Sequence, residues 1–325
     1  MARCRIGFIG AGGVAARHAR TLAPLPLTEL VAVTDTDPVR ADRFATEHGL
    51  RAVPDVDALL DTGLNAAYVC VPPYAHGALE EAVVGAGVAL FVEKPLGLDL
   101  AVPERVMRAV TDAGVVTAVG HHWRYSSAVD QAQALLADRP RHLVLASWLD
   151  RVPPVPWWVQ RDRSGGQIVE QVVHVLDLAR VLVGEVTQVS AMTDRAPPDH
   201  PDADIDGATA AVLRFAGGAV GTLAATCRLG WKHRACLEVY ADGLALAVSE
   251  EGLEVYEGGS HRTTAVAPEA AKRAADLAFT QAVLGATDTV RAPYADALRT
   301  HRLACAVAES AAGQPIDLPE RADAS

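Results

Sequence analysis

Short apolar runs alternate with amphipathic stretches of about a dozen residues from position 4 to position 119. This rhythm is typical of successive βα units. The apolar runs show little polar alternation, which predicts strands covered on both faces and therefore a doubly wound parallel sheet of the α/β class. We expect its strands at residues 4–9, 29–33, 51–53, 66–71, 89–92 and 115–119.

The pattern changes after Tyr125. A helix is predicted at residues 127–137, and turn signals such as Ala216-Gly217-Gly218 and Ala241-Asp242-Gly243 join the later apolar runs closely. Such short connections require antiparallel hairpins. We therefore predict an α+β domain with a large, mainly antiparallel sheet that packs one face on helices such as 170–183. Its strands are expected at residues 142–149, 186–192, 208–215, 219–226, 235–241, 244–248 and 253–256.

The size and charge of the chain limit its partners. A chain of 325 residues, half of them hydrophobic, is long enough for two domains with their own cores, which we place at residues 1–122 and 123–325. The formal net charge of −11 argues against a nucleic-acid partner and against an anionic membrane surface. We therefore expect a small-molecule partner.

The five cysteines are scattered and show no C-x-x-C spacing, which argues against a disulfide framework and against a zinc site. They indicate buried thiols in a reducing compartment. Met1-Ala2-Arg3 leads straight into the first predicted strand, and no apolar run approaches the length of a membrane span, so we expect neither a signal peptide nor a membrane anchor. The expected location is the cytoplasm.

A glycine-rich turn follows the first predicted strand. In Gly10-Ala11-Gly12-Gly13-Val14-Ala15, Gly10 permits the tight turn, Gly12 lets the backbone approach a pyrophosphate, and the helix amino terminus supplies the anion site of a Rossmann fold. Asp35 ends the second strand twenty residues after Ala15, where an acid accepts a hydrogen bond from a ribose 2′-hydroxyl. These residues predict NAD, although Arg40 keeps NADP open; an incidental glycine-rich turn is the alternative. The candidate cofactor contacts here are Gly10, Gly12, Gly13, Val14 and Asp35.

The turn Val71-Pro72-Pro73-Tyr74-Ala75-His76 follows another predicted strand. Its two prolines direct the chain out over the sheet edge and preset the start of the next helix. We expect Pro72 and His76 beside the cofactor, with His76 in the first turn of that helix. The alternative for His76 is a solvated histidine at a helix start.

The apolar run Ala89-Leu90-Phe91-Val92 ends abruptly in Glu93-Lys94-Pro95. A proline after two charges stops the strand, which places Lys94 at the carboxyl end of the sheet, where open α/β sheets bind ligands. A partly desolvated lysine there is chemically useful. The alternative is a salt bridge at a strand end.

A second group of ionisable residues follows Ser164-Gly165-Gly166. Glu170, His174 and Asp177 are spaced i, i+4 and i+7, which puts them on one face of a predicted, mostly apolar helix. Such groups are costly to bury unless they are used or paired. A pair in which Glu170 and His174 satisfy each other is one alternative. A metal site is another, but no cluster supplies further ligands, so we expect no metal.

Three of the five tryptophans lie between positions 148 and 163. Aromatic faces beside charged groups suit sugar or cyclitol rings, which present C–H faces and hydroxyl rims. Trp157, together with Arg124 in the run His121-His122-Trp123-Arg124-Tyr125, is a candidate substrate contact. A loop that its tryptophans anchor to the domain is the alternative.

Taken together, these motifs resemble the Gfo/Idh/MocA family of NAD(P)-dependent oxidoreductases. The resemblance rests on GAGGVA, the acid after the second strand, VPPYAH, VEKPL and GGQIVEQVVHVLDLARVLVG. It implies that Lys94, Glu170 and His174 form the catalytic set, although the family most often has aspartate at the position of Glu170. It also implies that the exposed face of the second sheet makes subunit contacts, so we expect a homodimer or homotetramer.

Hydride transfer from an alcohol carbon to nicotinamide needs a base for the hydroxyl proton and positive charge near the oxygen. Our hypothesis makes His174 the proton acceptor, Lys94 the hydrogen-bond donor, and Glu170 an orienting group or substrate ligand. Glu93 then orients Lys94 or holds the nicotinamide ribose. Lys94, Glu170 and His174 are thus expected to contact the substrate as well.

The predicted activity is NAD-dependent oxidation or reduction at a secondary alcohol or ketone of a sugar, cyclitol or related polyol. The sequence leaves two alternatives open. One is a glycoside-cleaving or epimerising enzyme that uses NAD for transient oxidation, and the other is a non-catalytic NAD-sensing regulator.

Overall fold

The structure is a computed structural model that describes residues 3–311 and 313–319. It divides into two compact units. The first unit comprises the described residues up to Gly97 with Ala101–His122 and Lys272–Leu298, and the second comprises Leu98–Leu100, Trp123–Ala271 and the described residues from Arg299. The chain thus passes from one unit to the other after residue 122, where we place the domain boundary, but Lys272–Leu298 returns to the first unit.

Within the described part of the first unit, six strands form a parallel sheet in the order β3-β2-β1-β4-β5-β6. This order is that of a Rossmann fold, as predicted. The strands are β1 (Cys4–Ile9), β2 (Thr28–Thr34), β3 (Arg51–Ala52), β4 (Ala66–Val69), β5 (Ala89–Val92) and β6 (Thr117–Val119).

Both faces of this parallel sheet are buried. Phe8, Tyr68 and Phe91 belong to one apolar cluster, whereas Val69 and Val92, which follow Tyr68 and Phe91 in their strands, belong to another. Because successive strand residues point to opposite faces, the two clusters lie on the two sides of the sheet. The helices of this unit are α1 (Gly13–Leu22), α2 (Pro38–His48), α3 (Val56–Leu60), α4 (Ala78–Gly85) and α5 (Ala101–Ala113).

Nine strands of the described second unit form a mixed sheet in the order β14-β13-β12-β11-β7-β10-β9-β8-β15. Every pairing is antiparallel except that of β7 with β10, so the prediction of a mainly antiparallel sheet is confirmed. The strands are β7 (Arg141–Leu149), β8 (Val186–Asp194), β9 (Ala208–Phe215), β10 (Val220–Thr226), β11 (Arg234–Ala241), β12 (Leu244–Ser249), β13 (Gly252–Glu257), β14 (Ser260–Ala265) and β15 (Ile316–Asp317). The sequence patterns did not predict β14 and β15.

One face of the mixed sheet packs on helices. The helix α8 (Val173–Leu182) contacts the central strands β7 and β11, as the apolar stripe of the predicted helix requires, and α6 (Ser127–Leu136) contacts β12 and β13. The predicted helix start at residue 170 needs correction, because Ile168–Val172 forms a π-helix that runs into α8. The remaining helices are α7 (Arg161–Ser164), α9 (Pro268–Val283) and α10 (Tyr294–Ser310).

None of the helices in the described ranges is both long enough and apolar enough to cross a lipid bilayer.

Candidate functional site

The glycine-rich turn of the first unit joins β1 to the amino terminus of α1. Gly10 has φ +93°, and a Cβ there would lie 2.5 Å from the Cys70 carbonyl oxygen, so this position accepts only glycine. At Gly12, which caps α1, a Cβ would meet no atom within 4 Å. The exposed Gly13 and Val14 begin α1, so open space borders a helix amino terminus at the sheet edge.

Asp35 connects the end of β2 to this turn. Its Oδ2 accepts a hydrogen bond from the backbone nitrogen of Ala11 at 2.7 Å, and its Oδ1 accepts one from the backbone nitrogen of Asp37 at 2.9 Å. Arg40 Nη1 lies 3.8 Å from Asp35 Oδ1 and Arg40 Nη2 lies 3.4 Å from Asp37 Oδ2, so two acids surround its charge. The residues present fit NAD, since the fixed carboxylate stands where a 2′-phosphate would be repelled.

His76 is not placed as predicted. It lies before α4, which begins at Ala78, and it is 8% exposed, so both the predicted place in the first helical turn and the solvated alternative are wrong. Its Nδ1 lies 2.5 Å from Glu80 Oε1, and Gly77 donates its backbone N–H to Glu80 Oε2. The buried Glu80 therefore fixes His76 and Gly77 at the end of the turn. The sequence patterns did not single out Glu80. Pro72, half-buried, precedes the 3₁₀ turn Pro73–Ala75.

Glu93 lies at the end of β5 in a buried cluster of charges. Its Oε1 accepts a hydrogen bond from Arg17 Nη2 at 2.8 Å and lies 2.9 Å from His18 Nε2. The other ring nitrogen, His18 Nδ1, lies 2.7 Å from Asp276 Oδ1 on α9. Two cations and two carboxylates thus meet beside the Glu93-Lys94-Pro95 stretch.

This arrangement shifts the pKa of two of its members. Burial alone lowers the pKa of His18, but the charge and hydrogen bond of Asp276, with those of Glu93, outweigh it and raise the pKa to about 9. Burial alone raises the pKa of Glu93, yet the hydrogen bond from His18 and the charge of Arg17 hold it well below its usual range. Both side chains are therefore ionised at neutral pH.

Sequence reasoning missed His18 and Asp276. His18 could have been found, because it falls on the buried stripe of α1 with Ala15, Ala19 and Leu22. No local signal pointed to Asp276, which is 258 positions away.

Lys94 follows Glu93 directly and is half-buried. Its backbone nitrogen lies 3.3 Å from Glu93 Oε2, and its peptide bond to Pro95 is cis. Gly120 lies against the same carboxylate, since a Cβ there would come within 2.5 Å of Glu93 Oε2. The end of β5 is thus closely packed around the acid that precedes Lys94.

In the second unit, Glu170 lies in the π-helix. The indole Nε1 of Trp158 donates a hydrogen bond to Glu170 Oε2 at 2.6 Å. Trp158 is 1% exposed, which agrees with the alternative of a loop anchored by a tryptophan, whereas its neighbour Trp157 is only partly buried. π-helical turns often mark functional sites.

His174 lies one turn further on, in α8, and is 7% exposed. Its ring is nearly parallel to those of Trp123 and Trp148, with centroid distances of 5.8 Å in both cases. The two indoles fix the plane of the imidazole. Such a fixed ring beside apolar surface can exchange a proton with a ligand in a defined direction.

Asp177 and Arg124 form a buried ion pair. Arg124 Nε and Nη2 donate to the two carboxylate oxygens at 2.7 and 2.6 Å, and the Thr300 hydroxyl donates to Asp177 Oδ1 at 2.6 Å. The pair gives Asp177 a structural role within the second unit. Contact of Arg124 with substrate stays a prediction. Within the described ranges, no three His, Cys, Asp or Glu side chains are grouped as metal ligands.

Comparison with known proteins gives matches in both units. Residues 4–121 match the family described as "Oxidoreductase family, NAD-binding Rossmann fold", and residues 137–243 match the "GFO/IDH/MocA C-terminal domain". Inositol 2-dehydrogenase of Rhizobium meliloti (strain 1021) is 28% identical over 255 residues, 76% of each chain. Inositol 2-dehydrogenase of Acidothermus cellulolyticus is 30% identical over 257 residues, 76% of this chain and 73% of that one.

The fold also matches solved structures. A levoglucosan dehydrogenase in complex with NADH and levoglucosan superposes with a TM-score of 0.89, covering 98% of this chain and all of that chain. The two sequences are 21% identical, so this likeness concerns the fold alone.

Proposed function

Because this chain belongs to the Gfo/Idh/MocA family of NAD-binding oxidoreductases, we propose that it transfers a hydride between NAD and a secondary alcohol carbon of a sugar, cyclitol or related polyol. The relatives named above are inositol 2-dehydrogenases, and the solved structure is a levoglucosan dehydrogenase in complex with NADH. The observation that carries the substrate class is the His174 imidazole, which lies nearly parallel to two neighbouring indole rings, with Glu170 four positions earlier. Polar groups beside aromatic faces suit a ring rimmed with hydroxyls.

In this proposal each residue has a defined task. Bound NAD supplies the hydride acceptor. His174 takes the hydroxyl proton, and Lys94 donates a hydrogen bond to the oxygen as it becomes a carbonyl. Glu170, held by Trp158, accepts a hydrogen bond from a neighbouring hydroxyl and so orients the ring.

The cofactor is assigned to the first unit. Gly10, Gly12, Gly13 and Val14 would hold its pyrophosphate, and Asp35 its adenosine ribose. Pro72, His76 and Glu93 belong to the same proposed binding surface. Trp157 and Arg124 are proposed substrate contacts, and the hydrogen bonds of Arg124 to Asp177 give it a structural role as well.

An NAD-reduction screen over inositols, free sugars and nucleotide sugars tests the activity. Stoichiometric NADH with one of these compounds supports the proposal, whereas product without net NADH points to the transient-oxidation mechanism.

Lys94→Ala and His174→Gln should each lower kcat/KM by about 100-fold or more, because each removes a group that acts on the transferred proton or the oxygen. Lys232→Ala, which removes a partly exposed lysine of the second unit, is the matched control. Unchanged turnover in both variants would refute the catalytic assignment.

We also propose that copies of the chain meet through the exposed face of the mixed sheet, as a homodimer or homotetramer. Leu143 on β7 pairs directly with Val220 on β10, and both are exposed, as are Val212 on β9 and Met192 on β8. Neighbouring exposed apolar side chains favour association. Val212→Glu should yield monomers by mass photometry, while Val39→Glu on the first unit should not; a monomeric parent chain would contradict the proposal.

The proposed compartment is the cytoplasm, because no disulfide joins any two of the five cysteines, all of which lie in the described ranges. Localisation of a tagged copy in cell fractions tests this.

A further inference from the structure

His18 is a buried side chain to which the proposed mechanism gives no task. It is 2% exposed, and each of its ring nitrogens lies within hydrogen-bonding distance of a carboxylate oxygen. An ionised carboxylate only accepts hydrogen bonds, so both contacts are favourable only when both nitrogens carry a proton. The geometry therefore requires an imidazolium between Asp276 and Glu93.

The groups around this imidazolium come from four elements. Arg17 lies beside it on α1, Glu93 ends β5, Asp276 comes from α9, and the Tyr68 ring of β4 lies 5.1 Å away. Arg17 Nη2 is 3.1 Å from His18 Nε2 because both donate to Glu93 Oε1. Two positive charges thus converge on one oxygen of the acid that precedes Lys94.

Asp276 is 1% exposed and has His18 as its side-chain partner across 258 positions of sequence. Without its charge, the protonated His18 ring loses the carboxylate that stabilises it at Nδ1. His18 would then lose its proton at a lower pH, and Glu93 would lose one of its two donors. The position of Glu93, and of the lysine after it, depends on this chain of contacts.

We propose that His18 and Asp276 are positioning residues for hydride transfer, which hold the Glu93 carboxylate ionised and in place beside Lys94. This inference rests on the proposed role of Lys94. It assigns no contact with the substrate to either residue. The proposal concerns the first unit alone, which contains His18, Glu93, Lys94 and Asp276.

The test uses the three lysines of the chain, Lys94, Lys232 and Lys272, whose side-chain NMR signals are few enough to assign in lysine-labelled protein. In Asp276→Asn, the chemical shift of the Lys94 side chain should change between pH 6 and pH 9, because His18 loses its proton in that range. In the parent protein this chemical shift should stay constant over most of the same range. The chemical shift of Lys232 should not change with the ionisation of His18 in either protein.

Turnover gives a second readout, with NAD and myo-inositol as the probe. The kcat of Asp276→Asn should match the parent within about twofold at pH 6 and fall about tenfold at pH 8.5, the effect of one lost hydrogen bond to a charged group. Thr280→Val is the control: its buried hydroxyl donates to the Asp276 backbone oxygen at 2.8 Å, so it disturbs the same helix and leaves the carboxylate unchanged. It should lower stability without changing the pH profile.

A double-mutant cycle separates positioning from general destabilisation. In a Glu93→Gln background, Asp276→Asn should lower kcat by less than about a further twofold. The reason is that Asp276 acts on Lys94 through the Glu93 carboxylate, which this background already lacks. The inference would be overturned if Asp276→Asn and Thr280→Val lowered kcat equally at every pH and the Lys94 chemical shift did not change with pH. If no compound of the screen is oxidised and the Lys94 chemical shift still changes with the ionisation of His18, the positioning inference is supported and the proposed substrate class is wrong.

Discussion

The indole nitrogen of Trp158 donates a hydrogen bond to the carboxylate of Glu170 across 2.6 Å. The two residues come from different segments, a proline-rich turn and a π-helix, and the indole is almost completely buried. Trp158 therefore anchors its loop and also orients the carboxylate of Glu170. This hydrogen bond supports the interpretation of a loop anchored by a tryptophan, and the substrate contact of Trp157 stays a prediction.

Removing this hydrogen bond should affect catalysis more than folding. Trp158→Phe keeps most of the buried apolar surface but removes the donor, and we expect kcat/KM to fall roughly tenfold because the carboxylate loses its orientation. Steady-state kinetics with the best compound of the screen measures this. Trp157→Phe is the neighbouring control for loop packing, and an equal loss in it would show that the Trp158 hydrogen bond is not the cause.

Asp35 should determine the choice of cofactor. Asp35→Ala removes the carboxylate that faces the predicted ribose site, so we expect a higher KM for NAD and weaker discrimination against NADP. Parallel titrations with NAD and NADP measure both constants. Asp37→Ala, which removes the helix cap that accepts from the Val39 and Arg40 nitrogens, should lower stability and keep a stronger preference for NAD than Asp35→Ala. Identical preference in parent and Asp35→Ala would contradict the ribose assignment.

The ion pair between Arg124 and Asp177 should matter for stability. Asp177→Asn leaves a buried guanidinium without its countercharge, and we expect the free energy of unfolding to fall by about 3–5 kcal/mol. Urea denaturation measures the change. Asp242→Asn breaks an exposed contact with His142 and should change it by no more than about 0.5 kcal/mol. A small effect at Asp177 would mean that solvent reaches the pair.

His18 should make stability depend on pH in one direction. Its pKa in the folded protein is about 9 against 6.5 in the unfolded chain, so its contribution is complete below pH 6.5 and is lost as the pH rises through 9. His18→Gln should therefore be less stable than the parent at pH 6.5, and the difference should shrink towards pH 9.5. Denaturant melts across this range test it, with the exposed His142→Gln as a control that should show no such trend.

Much of the first unit could be predicted because the evidence for it is local. Strands that are buried on both faces appear as continuous apolar runs, and a turn that excludes a Cβ appears as glycine at Gly10. The predicted strand bounds differ from those observed by one or two residues at several ends, as at 66–71 against Ala66–Val69. The π-helix at Ile168–Val172 was missed because its spacing also fits an α-helix.

The amino-acid sequence by itself determined the Rossmann sheet, the cofactor turn, the mainly antiparallel second sheet and the identity of Lys94, Glu170 and His174 as candidates. Periodicity and short motifs carry that information, since each depends on neighbours in the chain. Only the tertiary structure decided which partners these residues have: Asp276 for His18, Trp158 for Glu170 and Arg124 for Asp177. Such partners are chosen by packing between distant segments, and a buried charge is stable only where the fold brings its countercharge.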